Sequence, residues 1–360
     1  MKKIILALAL SFLYLSELLI GIFCFILLYA SMPINSGSEI FHIPSSTHKS
    51  IIKTLKQNNY AINWIDKLII KQIHVPQKGW YQVDTNLYDN KIDFYSSISK
   101  KRAKTMDIVV FAGETKKELI QRLANDVKLD SKKLLEQYNI LTRYQEADIV
   151  AQRYTIARKA DEKTIMTYLF NISHEVIKNF KTKTYVQQKI LTIASIIQKE
   201  SNSADEMSHI SSVIYNRLNK NMKLQMDSTL NYGDFSHTVI TPERIKKDSS
   251  RYNTYKYRGL PPTPLGTVTY EALYAATHPI QSDYLFFMLS PEGNHTFANT
   301  YKNHLKNIRT FRAHQRAKHL PNKVTFPTTK FHPLFTAVKI DKIQPIYIEK
   351  NITMEGNLYF

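Results

Sequence analysis

Apolar residues fill almost the whole of the first thirty positions of this chain, then break into short alternating or helically spaced groups. After Met1, Lys2 and Lys3, the stretch Ile4–Ala30 is apolar apart from Ser11, Ser16, Glu17 and Gly21. Its length exceeds the roughly 20 residues that a helix needs to cross a bilayer. Glu17 near the middle costs roughly 3 kcal/mol on insertion, which the leucines and isoleucines around it outweigh. Leu28-Tyr29-Ala30 is a poor version of the small-residue site at which a signal peptide would be cut. The expectation is an uncleaved anchor over residues 1–31, with Lys2 and Lys3 in the cytoplasm and residues 32–360 outside.

Beyond the polar linker 31–38 the pattern is that of an α+β protein. Residues 32–104 form a small mixed region, with candidate strands at Ile40–Ile43 and Gly79–Val83 and a candidate helix at His48–Asn58. Asp107–Phe111 reads as a strand and Gly113 as its turn. Thr115 and Glu118 have the spacing of a capping box, opening a helix whose apolar face is Leu119, Leu123 and Val127. A second helix starts at Asp130. Residues 141–186 are helical segments. In residues 187–200, Ile190, Ile193, Ala194 and Ile197 mark one apolar face at helical spacing. Ala204–Asn219 repeats that spacing through Met207, Ile210, Ile214 and Leu218. Strand-like runs return in 321–360, at Val324–Phe326, Phe335–Ile340 and Pro345–Ile348, and read as an appended β-rich extension.

Glu200 is the residue this pattern makes conspicuous. It follows Ile197 by three positions, so it falls on the apolar face, while Gln188, Gln198 and Lys199 point elsewhere. A carboxyl on a core-facing stripe is costly to ionise and its pKa rises, the state a general acid needs near neutrality. A helix end frayed into water is the plainer alternative. Charge and cysteine content narrow the setting. The formal net charge is +19 and is spread along the chain, which suits anionic headgroups or an anionic wall polymer. Nucleic acid, the usual partner of a basic protein, is not met by an exported domain. Cys24, the only cysteine, lies within the anchor, so the exported part has neither disulfides nor a cysteine metal site.

Several constellations are missing. The chain has no G-x-G-x-x-G, no P-loop and no G-x-S-x-G. His174-Glu175 begins like a zincin motif, but Lys178 stands where the second histidine belongs. The pairs Ser97/Lys100 and Ser46/Lys49 match S-x-x-K without its companion motifs. No metal and no cofactor are expected. After Glu200, polar and aromatic residues gather in 224–229 and 252–255, ahead of the rigid turn at 259–262. Such residues suit a sugar, although each taken singly serves equally well as a cap or turn.

Taken in order, IASIIQKES (193–201), SSVIYNRL (211–218), LQMDSTLNYG (224–233), RYNTYKYRGLPPTPL (251–265) and GNHTFANTYKNH (293–304) resemble the signature blocks of the endolytic murein transglycosylases, the YceG-like family. The strand–helix–helix pattern of 105–140 resembles a LysM-like module. The resemblance implies a membrane anchor (1–31), an N-terminal α/β region (32–104), the LysM-like subdomain (105–140) and a mixed α+β catalytic domain (141–320), with 321–360 outside it. It implies a single-pass protein of the cell inner membrane whose periplasmic domain cuts glycan strands internally at the MurNAc–GlcNAc bond, leaving 1,6-anhydro ends, beside the peptidoglycan polymerases. Glu200 matches the family's catalytic glutamate. Asn216, Gln225, Asp227, Thr229, Asn253, Thr254, Tyr255 and His295 match its other active-site positions and are expected to bind substrate. Gln198 replaces an acid, which leaves Glu200 as the one candidate; Ser228 replaces a proline, Thr263 a glycine and Thr267-Val268-Thr269 an Asn-Pro-Gly, changes expected to loosen the groove.

Most glycoside hydrolysis needs two carboxyl groups because water must be activated or a covalent intermediate formed. Lytic cleavage uses the sugar's own C6 hydroxyl, so one carboxyl suffices as acid and then base. Gln225, Asn253 or Tyr255 would support the charged transition state. Two alternatives stand beside this reading. One is a muramidase that uses Glu200 with Asp227, and the other a peptidoglycan-binding scaffold that does not cut.

Overall fold

The computed structural model describes residues 2–34, 37–73, 76–84, 88–180, 184–201 and 203–318. The tail strands expected at 324–326, 335–340 and 345–348 lie outside the described residues. In chain order the elements are α1 (Lys2–Ser31), β1 (Ile40–Ile43), α2 (His48–Gln57), α3 (Trp64–Gln72), β2 (Gly79–Gln82), α4 (Lys91–Ile98), β3 (Thr105–Val109), α5 (Lys116–Val127) and α6 (Ser131–Leu141). There follow β4 (Arg153–Ala157), α7 (Glu162–Lys178), α8 (Thr184–Glu200), α9 (Ala204–Asn219), α10 (Pro242–Lys247), α11 (Tyr270–Thr277), β5 (Phe286–Leu289), β6 (His295–Ala298) and α12 (Tyr301–Lys318). The result is α+β, with three two-stranded sheets, β1–β2, β3–β4 and β5–β6, among the described residues.

The chain divides into two compact units. The first holds residues 1–108, 126–133 and 154–168; the second holds 109–125, 134–153 and 169 onward. In the first, β1 and β2 pair antiparallel from Ile40 opposite Gln82 to Ile43 opposite Gly79. Phe41, Ile43, Ile51, Leu55, Ile70, Tyr81, Phe94 and Tyr95 form its core, each at most 1% exposed. The apolar spacing within α2 and α4 is what closes this core. Asp66 of α3 lies inside it, 0% exposed. It accepts from Tyr29 Oη (2.8 Å), Tyr95 Oη (2.9 Å) and the Asn63 amide (2.8 Å), and pairs with Lys91 Nζ at 3.3 Å.

α1 runs the length expected of the anchor, and Ile4–Ser31 has the length and mean hydropathy (2.2) to cross a membrane. Its apolar side chains are exposed all round, from Ile4 to Leu28. Ala30 and Ile34 are buried, while Ser31, Met32 and Pro33 between them are exposed.

β3 begins and ends two residues before the strand expected at Asp107–Phe111. The reason lies in the following residues, which bond to a different partner. The Gly113 amide donates to Thr267 O (2.8 Å), the Thr267 amide to Glu114 O (2.8 Å), and Thr267 Oγ1 to Phe111 O (2.6 Å). Gly266 makes that crossing possible, because a Cβ there would lie 2.7 Å from Glu114 O. The capping box at α5 is present: Glu118 Oε2 accepts from the Thr115 amide (2.8 Å) and hydroxyl (2.9 Å).

The second unit is built around α8, whose residues 191–198 are buried without interruption. Ile196 and Ile197 of α8, Ile210 and Ile214 of α9, and Leu273 and Ala276 of α11 share one core. Glu146 is also buried here, 3% exposed. Its Oε2 accepts from the Lys116 amide (2.7 Å), and Tyr232 Oη donates to its Oε1 (3.3 Å). Burial raises its pKa from 4.5 to about 7, outweighing the bonds and Lys116, which lower it. A carboxyl whose folded pKa is raised contributes stability that is full below pH 4.5 and lost as pH rises through about 7. Glu146→Gln should therefore match the parent at pH 4 and exceed it at pH 8 by up to about 3 kcal/mol; urea unfolding at the two pH values measures the difference.

Candidate active site

Three segments of the second unit meet around the end of α8. The first is the C-terminus of that helix, where the 0% exposure of Ile197 and the 7% of Gln198 show how deeply the last turn is set. The second is the single 3-10 turn Asp227–Leu230. The third is the 253–255 segment, lashed to the turn by the Met226 amide on Thr254 Oγ1 (3.1 Å) and by the contact of Thr229 Oγ1 with Thr254 Oγ1 (3.0 Å).

Glu200 ends α8 with its side chain part-buried. Its Oε1 accepts from the Ser228 amide at 3.2 Å. Its pKa is raised, first by burial and then by the charge of Asp227; the bonds from Ser228 and the nearby His295 act in the opposite direction. A carboxyl that holds its proton while part of it still meets solvent has what a general acid requires. Asp227 accepts from Tyr255 Oη at 2.7 Å. Burial, then the Asp227 carboxylate, pushes the Tyr255 phenol far above its ordinary range, so it stays a hydrogen-bond donor.

Two residues of this cluster were not among the expected site residues. Arg217 of α9 is 7% exposed. It donates to Leu285 O (2.6 Å) and to the carbonyl of Leu224, and its guanidinium lies 5.3 Å from the centre of the Phe286 ring. Burial lowers its pKa, and Tyr255 and Glu200 are near enough to raise it. Glu206, in the first turn of α9, accepts from the His295 amide (2.6 Å) and meets His295 Nδ1 at 2.6 Å. Burial raises the Glu206 pKa, but the bonds from His295 prevail and hold it below the usual value. An acid in the first turn of a helix reads as a partner of the helix dipole, so its pairing with His295 was not foreseen.

The remaining expected site residues have different positions. Gln225 is exposed with its backbone in the left-handed region (φ 49°), its amide donating to Thr254 O. Asn216 uses both protons of its amide on Ser282 O (2.7 Å) and Tyr284 O (3.0 Å). Asn253 does the same with Ile245 O and Asp248 O, both at 2.8 Å, and is 0% exposed. Thr229 and Thr254 are buried in the lashing. The structure thus brings Glu200, Asp227, Tyr255 and His295 together, sets Gln225 at the surface, and uses Asn216, Thr229, Asn253 and Thr254 to hold the frame.

Gln198 does not point away from the core as its spacing suggested, because α8 is wrapped on every side. Its Oε1 accepts from the amide of Thr269, the N-cap of α11, at 3.1 Å. The substituted turn positions are bonded, not slack. Thr263 Oγ1 meets Tyr252 Oη (2.7 Å), Val268 is a core residue at 0% exposure, and Thr269 Oγ1 accepts from the Ala272 amide. Ser228 supplies an amide proton to Glu200 that a proline could not. That bond favours the carboxylate form, so Ser228→Pro should raise the Glu200 pKa and move the alkaline limb of a kcat/KM profile upward; an unmoved limb would sink the point.

Residues 41–310 match the YceG-like family, and the chain belongs to it. An endolytic murein transglycosylase of Bacillus subtilis (strain 168) is 35% identical over 210 residues, 58% of this chain and 57% of that protein. An endolytic murein transglycosylase of Streptococcus pneumoniae (strain D39) is 32% identical over 134 residues, 36% of this chain and 24% of that protein. The matched part therefore spans little more than half of the first relative and about a quarter of the second. A solved yceG-like protein of Listeria monocytogenes aligns with 74% of this chain and 97% of its own at 23% identity, with a TM-score of 0.49.

Proposed function

We propose that this chain is a membrane-anchored lytic transglycosylase that cuts peptidoglycan glycan strands internally and leaves 1,6-anhydro-MurNAc ends. The observation that carries the reading is Glu200, a part-buried carboxyl with raised pKa, set against an amide donor at the end of α8. Family membership and the names of the two relatives support the choice of substrate. In the proposed reaction Glu200 donates its proton to the glycosidic oxygen as the C1–oxygen bond breaks. Its carboxylate then takes the proton of the C6 hydroxyl as O6 bonds to C1, so Glu200 ends protonated and no water is consumed. The Ser228 amide and the buried Arg217 stabilise the carboxylate between the two steps. Asp227, held by Tyr255, keeps Glu200 protonated at the start; its negative charge also faces the positive charge that develops on the sugar ring.

The anchor is retained in this reading. Tyr29 bonds Asp66, Ala30 is 2% exposed, and Met32 O accepts from the Lys91 amide at 3.0 Å. Cutting after residue 30 would remove Tyr29 from a buried ion cluster. The second unit would then work on the outer face of the membrane, next to the polymerases whose strands it shortens. The order β3, α5, α6, β4 supports the LysM-like assignment for the glycan-gripping part. Digests of long, defined glycan strands test the activity: shorter strands with anhydro ends are expected, and reducing ends would favour the muramidase reading through Asp227.

A further inference from the structure

α3 shows an outward face unlike those around it. Ile65, Asp66 and Ile70 are buried, while Trp64, Lys67, Leu68 and Lys71 are exposed. Those four positions follow i, i+3, i+4 and i+7, one continuous stripe on a nine-residue helix. Trp64 is 59% exposed and Leu68 43%, and the helix packs with α4 and the end of α1, where Ile92 (43%) and Met32 (52%) are exposed as well. Large apolar side chains open to water, with lysines between them, are unusual on a free surface. They are usual on helices that lie in a membrane interface, where tryptophan sits at headgroup level.

The height of α3 follows from its bonds to the anchor. Asn63, its N-cap, donates from Nδ2 to Tyr29 Oη at 2.6 Å, and Tyr29 donates in turn to Asp66 of α3 at 2.8 Å. Tyr29 stands two residues before the end of the span at Ser31. The first turn of α3 is therefore level with the last turn of the apolar helix. A recess of about 410 Å³ opens at the same junction, between Tyr29, Met32, Asn63 and Lys91.

We propose that the outward face of α3 lies in the interfacial layer of the bilayer, with Trp64 and Leu68 at the boundary of headgroups and acyl chains and Lys67 and Lys71 against headgroup phosphates. The occupant is a lipid surface because α3 is tied at the end of the apolar helix α1, its exposed side chains include Trp64 and Leu68, and the charge of Lys67 and Lys71 complements the phosphates. The proposal rests on the reading of α1 as a membrane anchor. It makes the first unit a body seated on the membrane, not one hanging from a flexible stalk.

The chain has two tryptophans, and the other, Trp80, is 4% exposed and bonded through Nε1 to Thr155 O. The emission of the full-length chain minus that of its Trp64→Phe variant therefore reports Trp64. In vesicles whose acyl chains carry bromine near the headgroup, Trp64 emission should be blue-shifted and largely lost, while the emission left in the variant is unchanged. Suppose the protein floats with the vesicles after an alkaline wash, yet Trp64 is untouched by bromine and reached by aqueous acrylamide. The interfacial face is then refuted and the anchor stands. Shielding of Trp64 from both quenchers would also refute it, assigning the face to a second copy or another protein. A chain that fails to float defeats the anchor reading and this proposal with it.

Discussion

Glu200→Gln should leave the fold intact and stop the cleavage. The amide can still accept from the Ser228 amide through its oxygen, so the 3.2 Å bond and the packing of the α8 terminus survive. What disappears is the proton that the proposed mechanism gives to the glycosidic oxygen, and general acid–base catalysis is worth roughly a hundred- to ten-thousand-fold in rate. Stability should respond in the other direction. The raised pKa of Glu200 means that the parent loses stability as pH rises from 4.5 through the folded value. The variant should match it in acid and exceed it at neutral pH. Strand-cleavage assays with denaturant curves on the same preparations read both effects. Wild-type activity in a folded variant would remove Glu200 from the mechanism, whereas a large loss of stability would recast it as structural.

Asp66→Ala should be the most destabilising single change in the first unit. The carboxylate is 0% exposed and satisfies Tyr29, Tyr95, the Asn63 amide and Lys91 together. Removing it leaves Lys91, itself 6% exposed, as a buried cation without its partner. Breaking a buried pair in this way costs about 3–5 kcal/mol. The capping box at the start of α3, in which Asp66 accepts from the Asn63 amide, is lost at the same time. The effect should be specific: Lys91→Met together with Asp66→Leu should recover much of the loss, because the pair is replaced by apolar volume. Thermal unfolding of the detergent-solubilised chain would measure both. A loss under 1 kcal/mol would mean that the cluster is open to water.

Much of this was written in local patterning. The apolar N-terminal helix, β1, α2, the capping box at Thr115 and the bounds of α9 follow from apolar spacing and caps, which act within a few residues. Glu200 was legible for a partly mistaken reason. The spacing that marked it assumed a helix with one buried stripe, yet residues 191–198 of α8 are enclosed on all sides, and Gln198, expected outside, accepts from the amide of Thr269 instead. The ordered blocks name stretches that the fold brings together, without separating their places in it. Asp227, Tyr255 and His295 meet Glu200, while Asn216 and Asn253 direct both their amide protons to backbone carbonyls. Nothing local could make that distinction, since it depends on which carbonyl stands opposite. Arg217 and Glu206 were missed for the same reason: Arg217 bonds Leu285 O and Glu206 bonds His295, both far along the chain. The end of β3 shifted because Thr267, likewise distant, claims the backbone of residues 111–114.

The central claim is that one carboxyl cuts the strand without water, and isotope labelling tests it most directly. Glycan strands digested in water enriched in heavy oxygen should yield new ends that contain no label and are one water lighter than reducing ends. Incorporation of one labelled oxygen per cut would contradict the account and make the protein a hydrolase.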